Sequence, residues 1–339
     1  MKVVTFGEIM LRLCPEGYLR FFQNDKMEAT FGGAEANVAV SLANFGIDSL
    51  YVTKLPDNPI GRGALSSLRS FGVDTSQIVF GGDRLGIYFL EKGAAQRGSL
   101  CVYDRAGSAI QKATREDFNW DAIFEGACWF HFTGITPALS PELVEILQLA
   151  LAKAKERNIT VSCDLNYRSK LWSRDEAREA MTKLCGKVDV LIANEEDVKD
   201  VFGIKPGDSD ITGGRLSTKG YEYQAQKLRE AFGFKYVAFT LRSSVSASDN
   251  YWKGVIYDGS EFFYSKEYLI HIVDRVGGGD SFGAGLIYSL LNGKDMDQTI
   301  NFSVAASCLK QSIEGDFNRV SVKEVETLKN GDASGRVVR

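Results

Sequence analysis

Histidine is almost missing from this chain: 339 residues carry two, His131 and His271. Each lies in a strand-like apolar stretch and reads as packing, so a histidine metal centre or a Ser/His triad has little to stand on. Paired cysteines are missing too. The six cysteines, at 14, 101, 128, 163, 185 and 308, are scattered without a Cys-x-x-Cys pair. That pattern reads as reduced, buried thiols of a cytoplasmic protein. There is no basic surplus, since the net charge is -4, which argues against a nucleic-acid partner. No apolar run is long enough to span a bilayer, and Met1-Lys-Val-Val runs straight into a strand without a signal sequence. A membrane partner is therefore not expected. No internal repeat or low-complexity segment appears. The length admits one large α/β domain or two smaller ones.

What is present is glycine in telling places. Near the C-terminus stands Asp274-Arg-Val-Gly277-Gly278-Gly279-Asp280-Ser-Phe-Gly283. A β-branched strand, Ile270 to Val273, precedes it. Apolar residues at helical spacing (Phe282, Leu286, Ile287, Leu290, Leu291) follow it and stop at Asn292-Gly293. The glycines thus sit at a helix N-terminus, where unpaired N–H groups and the helix dipole favour an anion. Without Cβ atoms an anion approaches the backbone closely. Asp280 puts a carboxylate beside that place, which suits removal of a proton from a hydroxyl attacking a phosphoryl group. A plain glycine turn with an acidic first-turn residue fits this stretch equally well.

In chain order, residues 2 to 6 read as a buried strand ending at Gly7-Glu8, and 11 to 31 as strands of a subsidiary sheet. Gly32-Gly33-Ala34-Glu35-Ala36-Asn37 opens a helix that stops at Gly46. Leu50 to Lys54 reads as a strand and Ile60 to Phe71 as a helix. Gly86 to Glu91 and Leu100 to Arg105 read as neighbouring strands, with Tyr88, Tyr103 and Arg105 walling a polar ligand or forming an ordinary exposed face. From residue 115 strands and helices alternate. Strand ends place Asn166, Arg168, Asn194 and Asp197 where open α/β sheets bind ligands. Arg168 offers a planar fork for a carboxylate or phosphate, whereas Asp197 also suits a helix first turn. Residues 205 to 222 read as a surface insertion and 242 to 248 as a small-residue loop able to cover a nucleotide. The last nine residues read as frayed.

Three pieces, in this order and at these separations, carry a resemblance: Gly32-Gly33 with Asn37, Asn194-Glu-Glu-Asp197, and Asp274-x-x-Gly-Gly-Gly-Asp280. Over essentially the whole chain they resemble the ribokinase-like (PfkB) carbohydrate kinases. The resemblance implies an α/β fold with a Rossmann-type core, a mostly parallel sheet between helices, made of residues 1–10, 32–83 and 110–330. It implies a β-sheet lid made of 11–31 and 84–109. It implies ATP and Mg²⁺ and leaves a monovalent cation open. By resemblance Asp280 is the base, and Gly277, Gly278 and Gly279 hold the phosphoryl group. Asn194 and Asp197 place Mg²⁺ through water. Thr240, Arg242, Ser243 and Asn301 lie near the nucleotide, with Gly277 and Gly279.

Within the family the likeness is to the branch that phosphorylates 2-keto-3-deoxygluconate at C6. Gly33, Asn37, Tyr88, Tyr103, Arg105, Asn166 and Arg168 would contact that sugar acid, with Asp316 and Asp280. A carboxylate substrate wants guanidinium partners. The aspartate by which many family members grip neutral sugars is Arg12 here, which weighs against fructose or ribose. A neutral-ketose kinase and a non-catalytic sugar sensor remain the alternative readings. The chain departs from the family pattern at Arg275, at Asp197 and in the nucleotide loop Thr240-Leu-Arg242-Ser. The resemblance also suggests a homodimer through the lid, or a larger homo-oligomer.

Overall fold

The computed structural model describes residues 1–206 and 218–331. The chain opens with β1 (Lys2–Phe6), β2 (Met10–Cys14) and β3 (Glu28–Gly32), then α1 (Ala34–Asn44) and β4 (Asp48–Val52). A short pair, β5 (Lys54–Leu55) and β6 (Val79–Phe80), brackets α2 (Pro59–Arg69). β7 (Gly86–Glu91) and β8 (Leu100–Asp104) follow. Then come α3 (Trp120–Ile123), β9 (Ala127–Thr133), α4 (Ile135–Ala138), α5 (Pro141–Glu156), β10 (Thr160–Asp164), α6 (Arg174–Cys185), β11 (Val190–Ala193) and α7 (Glu195–Phe202). α8 (Thr218–Phe232), β12 (Tyr236–Ser244), β13 (Asp249–Tyr257), β14 (Phe262–Tyr264) and β15 (Tyr268–His271) lead to α9 (Gly278–Leu291), α10 (Met296–Gln311) and α11 (Val322–Lys329).

The large sheet runs β14-β13-β12-β11-β10-β9-β1-β4, with β15 also on β13. From β4 to β12 every neighbouring pair is parallel; β13 pairs antiparallel with β12, β14 and β15. The inner strands are almost wholly buried, as in Val190–Ala193, because helices cover both faces. On one face Leu143, Ile146 and Leu147 of α5 pack with Met181 and Leu184 of α6. On the other, Val38 and Leu42 of α1 pack with Phe282 and Leu286 of α9 and Phe302 of α10. The helices start where side chains cap them: Ser140 accepts from Leu143 N ahead of Pro141, and Ser173 forms a reciprocal cap with Glu176. A separate four-stranded sheet, β3-β2-β7-β8, draws its strands from residues 10–14, 28–32, 86–91 and 100–104.

Several boundaries differ from the sequence reading. β12 continues through Arg242, Ser243 and Ser244, because pairing with β13 satisfies their backbone. The segment read as a loop over a nucleotide is therefore a strand over its first three residues. β15 ends at His271, so Ile272 and Val273 are connector. α8 begins at Thr218, inside the stretch read as an insertion; residues 207–217 of that stretch, like the tail 332–339, lie outside the described residues. His131 is buried beside Ser162 Oγ (2.8 Å), and burial pushes it down to about 3, so it packs as a neutral ring. His271 does not pack: its side chain is 70% exposed and lies 2.8 Å from Asp249. All six thiols are free; Cys101 and Cys128 are only half-buried.

Candidate active site

Two helix N-termini meet at the carboxyl end of the large sheet. α9 is preceded by Gly277, whose φ of 81° is left-handed, and a Cβ there would collide with the Asp316 carbonyl. A Cβ on Gly278 would press on Gln311 Cγ at 3.0 Å, while Gly279 faces open space. The first glycine makes the turn, the second allows packing, and the third leaves room for a ligand. α1 begins after Gly33, whose N–H donates to Asn37 Oδ1 at 3.3 Å. Asn37 Nδ2 in turn donates to Asp280 Oδ2 at 2.6 Å, joining the two first turns. Glu35 bolts α1 to the end of β9: its Oε1 accepts from Thr133 N, Thr133 Oγ1 and Thr136 Oγ1 at 3.0, 2.7 and 2.7 Å. Complete burial pushes the Glu35 carboxyl up to about 7.

These turns open on a cavity of about 460 Å³. It is lined by Gly33, Asn37, Tyr88, Tyr103, Arg105, Asn166 and Arg168 at one end. Asn194, Asp197, Thr240, Arg242, Gly277, Gly278, Gly279 and Asp280 line the rest, with Asp164, Arg275 and Asp316. Ser243 and Asn301 do not line it. Asn301 instead accepts from Lys266 N at 2.9 Å and donates to the Asp297 carbonyl at 2.9 Å, tying α10 to the chain after β14.

The charges are arranged unevenly. Burial pushes Asp280 up to about 6; Asp316 adds to that, while the Asn37 bond, Arg168 and Lys310 oppose it. Burial raises Asp197 to about 7, and raises Asp164 well above the usual carboxylate range with help from Asp197 and Asp280. Asn194 Oδ1 accepts from Asp197 N at 2.9 Å, and Asp197 Oδ1 from Tyr167 N at 3.2 Å. Asn166, held at φ 39°, donates its N–H to Asp164 Oδ1 at 3.2 Å. Crowded carboxylates that hold their protons in this way are short of positive charge, and their oxygens suit a hard divalent cation. Among the described residues no group of three or more His, Cys, Asp or Glu is assembled as a ready cage. Mg²⁺ takes one or two carboxylates and completes its shell with water and phosphate oxygens.

Beside the small sheet, Tyr88 and Tyr103 stack with ring centres 6.0 Å apart, and the Arg105 guanidinium lies 5.3 Å from the Tyr103 ring. Arg105 is already engaged, since its Nε and Nη2 both donate to Glu8, whose other oxygen accepts from Ser108 at 2.6 Å. Arg168 is exposed to the cavity, and among the described residues it has no ion-pair partner.

Contacts between residues far apart in the sequence complete this end. Arg12 lies between Asp274 (2.5 Å) and Asp316 (2.7 Å), and Asp316 also accepts from the Tyr88 hydroxyl at 2.6 Å. Arg12 stands where alternation turns β2 inward, burial pattern BiBiB reading outward at 11 and 13. An arginine on an inward position must find carboxylates, and that was the available signal.

The sequence profile of the pfkB family carbohydrate kinases matches residues 1–318. The crystal structure of 2-dehydro-3-deoxygluconokinase from Thermotoga maritima is 52% identical, covers 98% of each chain and superposes with a TM-score of 0.94. The 2-dehydro-3-deoxygalactonokinase of Haloferax volcanii is 35% identical over 333 residues, 98% of each chain. The 2-dehydro-3-deoxygluconokinase of Bacillus subtilis is 28% identical over 327 residues, covering 96% of this chain and 94% of its own.

Proposed function

The chain belongs to the pfkB family of carbohydrate kinases, and from that premise we propose that it transfers the γ-phosphoryl group of ATP to the C6 hydroxyl of 2-keto-3-deoxygluconate. The product is 2-keto-3-deoxy-6-phosphogluconate. The observation that carries this reading is Asp280, aimed by Asn37 and set between two helix N-termini in a cavity that also presents Arg168.

The small sheet acts as a lid. Its strands carry Tyr88 and Tyr103, whose rings form the wall against which the sugar chain lies. Arg168 takes the substrate carboxylate in its fork. Arg105, held by Glu8, keeps the Tyr103 ring in place and lends positive charge to the same end. The C6 hydroxyl then lies next to Asp280. Asp280 accepts its proton as the oxygen attacks phosphorus, and ADP leaves. Gly277, Gly278 and Gly279 present N–H groups to the oxygens of the phosphoryl group in transfer. Asn194 and Asp197, with Asp164, would hold Mg²⁺ directly or through water, where it would supply positive charge against the phosphates. Arg242 and Arg275 receive the donor phosphates.

The exposed face of the lid strand β8, with Leu100 and Val102 each nearly half open to solvent, favours a homodimer formed through the lids. Among the described residues no helix is long and apolar enough to cross a membrane.

The site of phosphorylation is tested by ³¹P and ¹H NMR of the product. Coupling of phosphorus to the two C6 protons is expected; phosphorus on any other carbon would contradict the placement of C6 at Asp280.

A further inference from the structure

Lys310 is the last-turn lysine of α10, and it is completely buried. Its ammonium donates to three backbone carbonyls: Gly315 at 2.6 Å, and Asp274 and Ile313 at 3.3 Å each. The acid that most favours its charge, Asp274, is already used by Arg12 (2.5 Å), Gly315 N (3.2 Å) and Val276 N (3.1 Å). Among the described residues Lys310 makes no ion pair within 4.0 Å. Burying an ammonium against neutral carbonyls costs free energy, and burial does lower its proton affinity. A leucine or methionine would fill the same space without that cost.

A lysine that merely closes a helix end would take carbonyls of its own last turn. Here one carbonyl comes from Asp274, the residue that begins the glycine loop, and two from the 313–315 turn. The stem runs directly under the loop: a Cβ on Gly277 would stand 3.2 Å from Lys310 Cε. The same turn supplies the Asp316 carbonyl against which Gly277 is seated. A ring of carbonyls around a single positive charge is how proteins hold potassium or ammonium ions.

We infer that the Lys310 ammonium is a built-in monovalent cation, a positioning group that holds the Gly277–Gly279 loop in its anion-receiving form and places a fixed positive charge behind it. Phosphoryl transfer in this chain then needs no free potassium or ammonium ion. This rests on the kinase reading above, and it answers the monovalent-cation question that the sequence left open.

The test compares wild type, Lys310→Ala and Lys310→Met in KCl, NH₄Cl, LiCl and choline chloride at equal ionic strength. Wild-type kcat is expected to be the same in all four salts. K310A should lose about 100-fold in kcat, the scale of removing one fixed transition-state contact, with a smaller change in either KM. Potassium and ammonium should restore part of that loss in K310A, and lithium and choline should not. K310M, whose stem fills the cage, should not be restored by any of them. Activation of wild type by potassium, a folded K310A with wild-type kcat, or a loss that no cation restores would each overturn the inference.

A second readout needs no turnover. The thermal midpoint of K310A, or its yield of folded protein if it is unstable, should rise in potassium and ammonium over choline, and that of wild type should not. If the wild type phosphorylates nothing, the kinase reading falls, and this comparison alone judges the cage: no cation-specific rise overturns it.

Discussion

The Tyr88 hydroxyl lies 2.6 Å from both carboxylate oxygens of Asp316, so a residue of the small sheet is tied to the turn that seats the glycine loop. Arg12 grips the same carboxylate at 2.7 Å from another strand of that sheet. The small sheet and the seat of the glycine loop are therefore one hydrogen-bonded assembly. Tyr88→Phe keeps the ring but removes a donor from a buried carboxylate, which should cost about 1–3 kcal/mol of stability. Thermal or urea melts check this, and KM for the sugar acid should rise with kcat less affected. Unchanged stability would mean that Arg12 alone satisfies Asp316.

Asp280→Asn should remove most of the turnover, by roughly 10²–10⁴-fold, while sugar-acid binding by calorimetry stays close to wild type. The pH profile follows from its environment. Asp280 is pushed up to about 6, and only its ionised form accepts a proton, so kcat/KM should rise with pH through about 6. Arg168→Gln removes a charge that favours the ionised form and should move that limb higher. Stability runs the other way. With its folded pKa above the unfolded value, Asp280 binds more protons folded than unfolded, so its contribution to stability falls as pH rises from about 4 to 6 and stays low above. Asp280→Asn should then melt above wild type at pH 8, with the gap closing by pH 4. A gap independent of pH would contradict the assignment.

The two arginines of the sugar end should separate by their partners. Arg168 has no ion-pair partner among the described residues, so Arg168→Ala should raise KM for a sugar acid by about 10-fold or more and leave KM for a neutral sugar and the fold intact. Arg105→Ala strands the buried Glu8 carboxylate, so it should lower stability by about 3–5 kcal/mol as well. Adding Glu8→Gln should recover part of that stability. Equal effects of Arg168→Ala on acid and neutral sugars would remove its role with the carboxylate.

Arg242 and Arg275 line the same cavity, and Arg242, after burial, is the larger cause holding the Arg275 pKa below the usual arginine range. Two guanidiniums that repel each other at a cavity wall suit a polyphosphate between them. Arg242→Ala should raise KM for ATP by about 10-fold, leave KM for the acid unchanged and weaken the salt dependence of ATP binding. An unchanged KM for ATP would place the donor elsewhere.

Much of the fold was legible because its signals are local. Gly32-Gly33 with Asn37 and Gly277 to Asp280 mark helix starts by residue types that few other positions tolerate, and Asn194 caps α7 by its own side chain. What stayed hidden is carried by long-range pairs. Arg12 meets Asp316 across 304 positions, and nothing near either residue announces the other. Lys310 carries no mark in the sequence, since its carbonyl partners come from Asp274 and from the turn at 313–315. Arg242-Ser243-Ser244 looked like loop by composition; pairing of Ser243 with Tyr251 makes it strand. Asn301 was placed near a nucleotide, yet its side chain is spent on Lys266 and Asp297.

The most direct measurement is ADP release from ATP and Mg²⁺ with 2-keto-3-deoxygluconate, gluconate, fructose and ribose as acceptors. The account predicts a strong preference in kcat/KM for the keto-deoxy acid. Preference for fructose or ribose would contradict the reading of Arg168 and its neighbours, and no turnover with any acceptor would contradict the kinase assignment of Asp280.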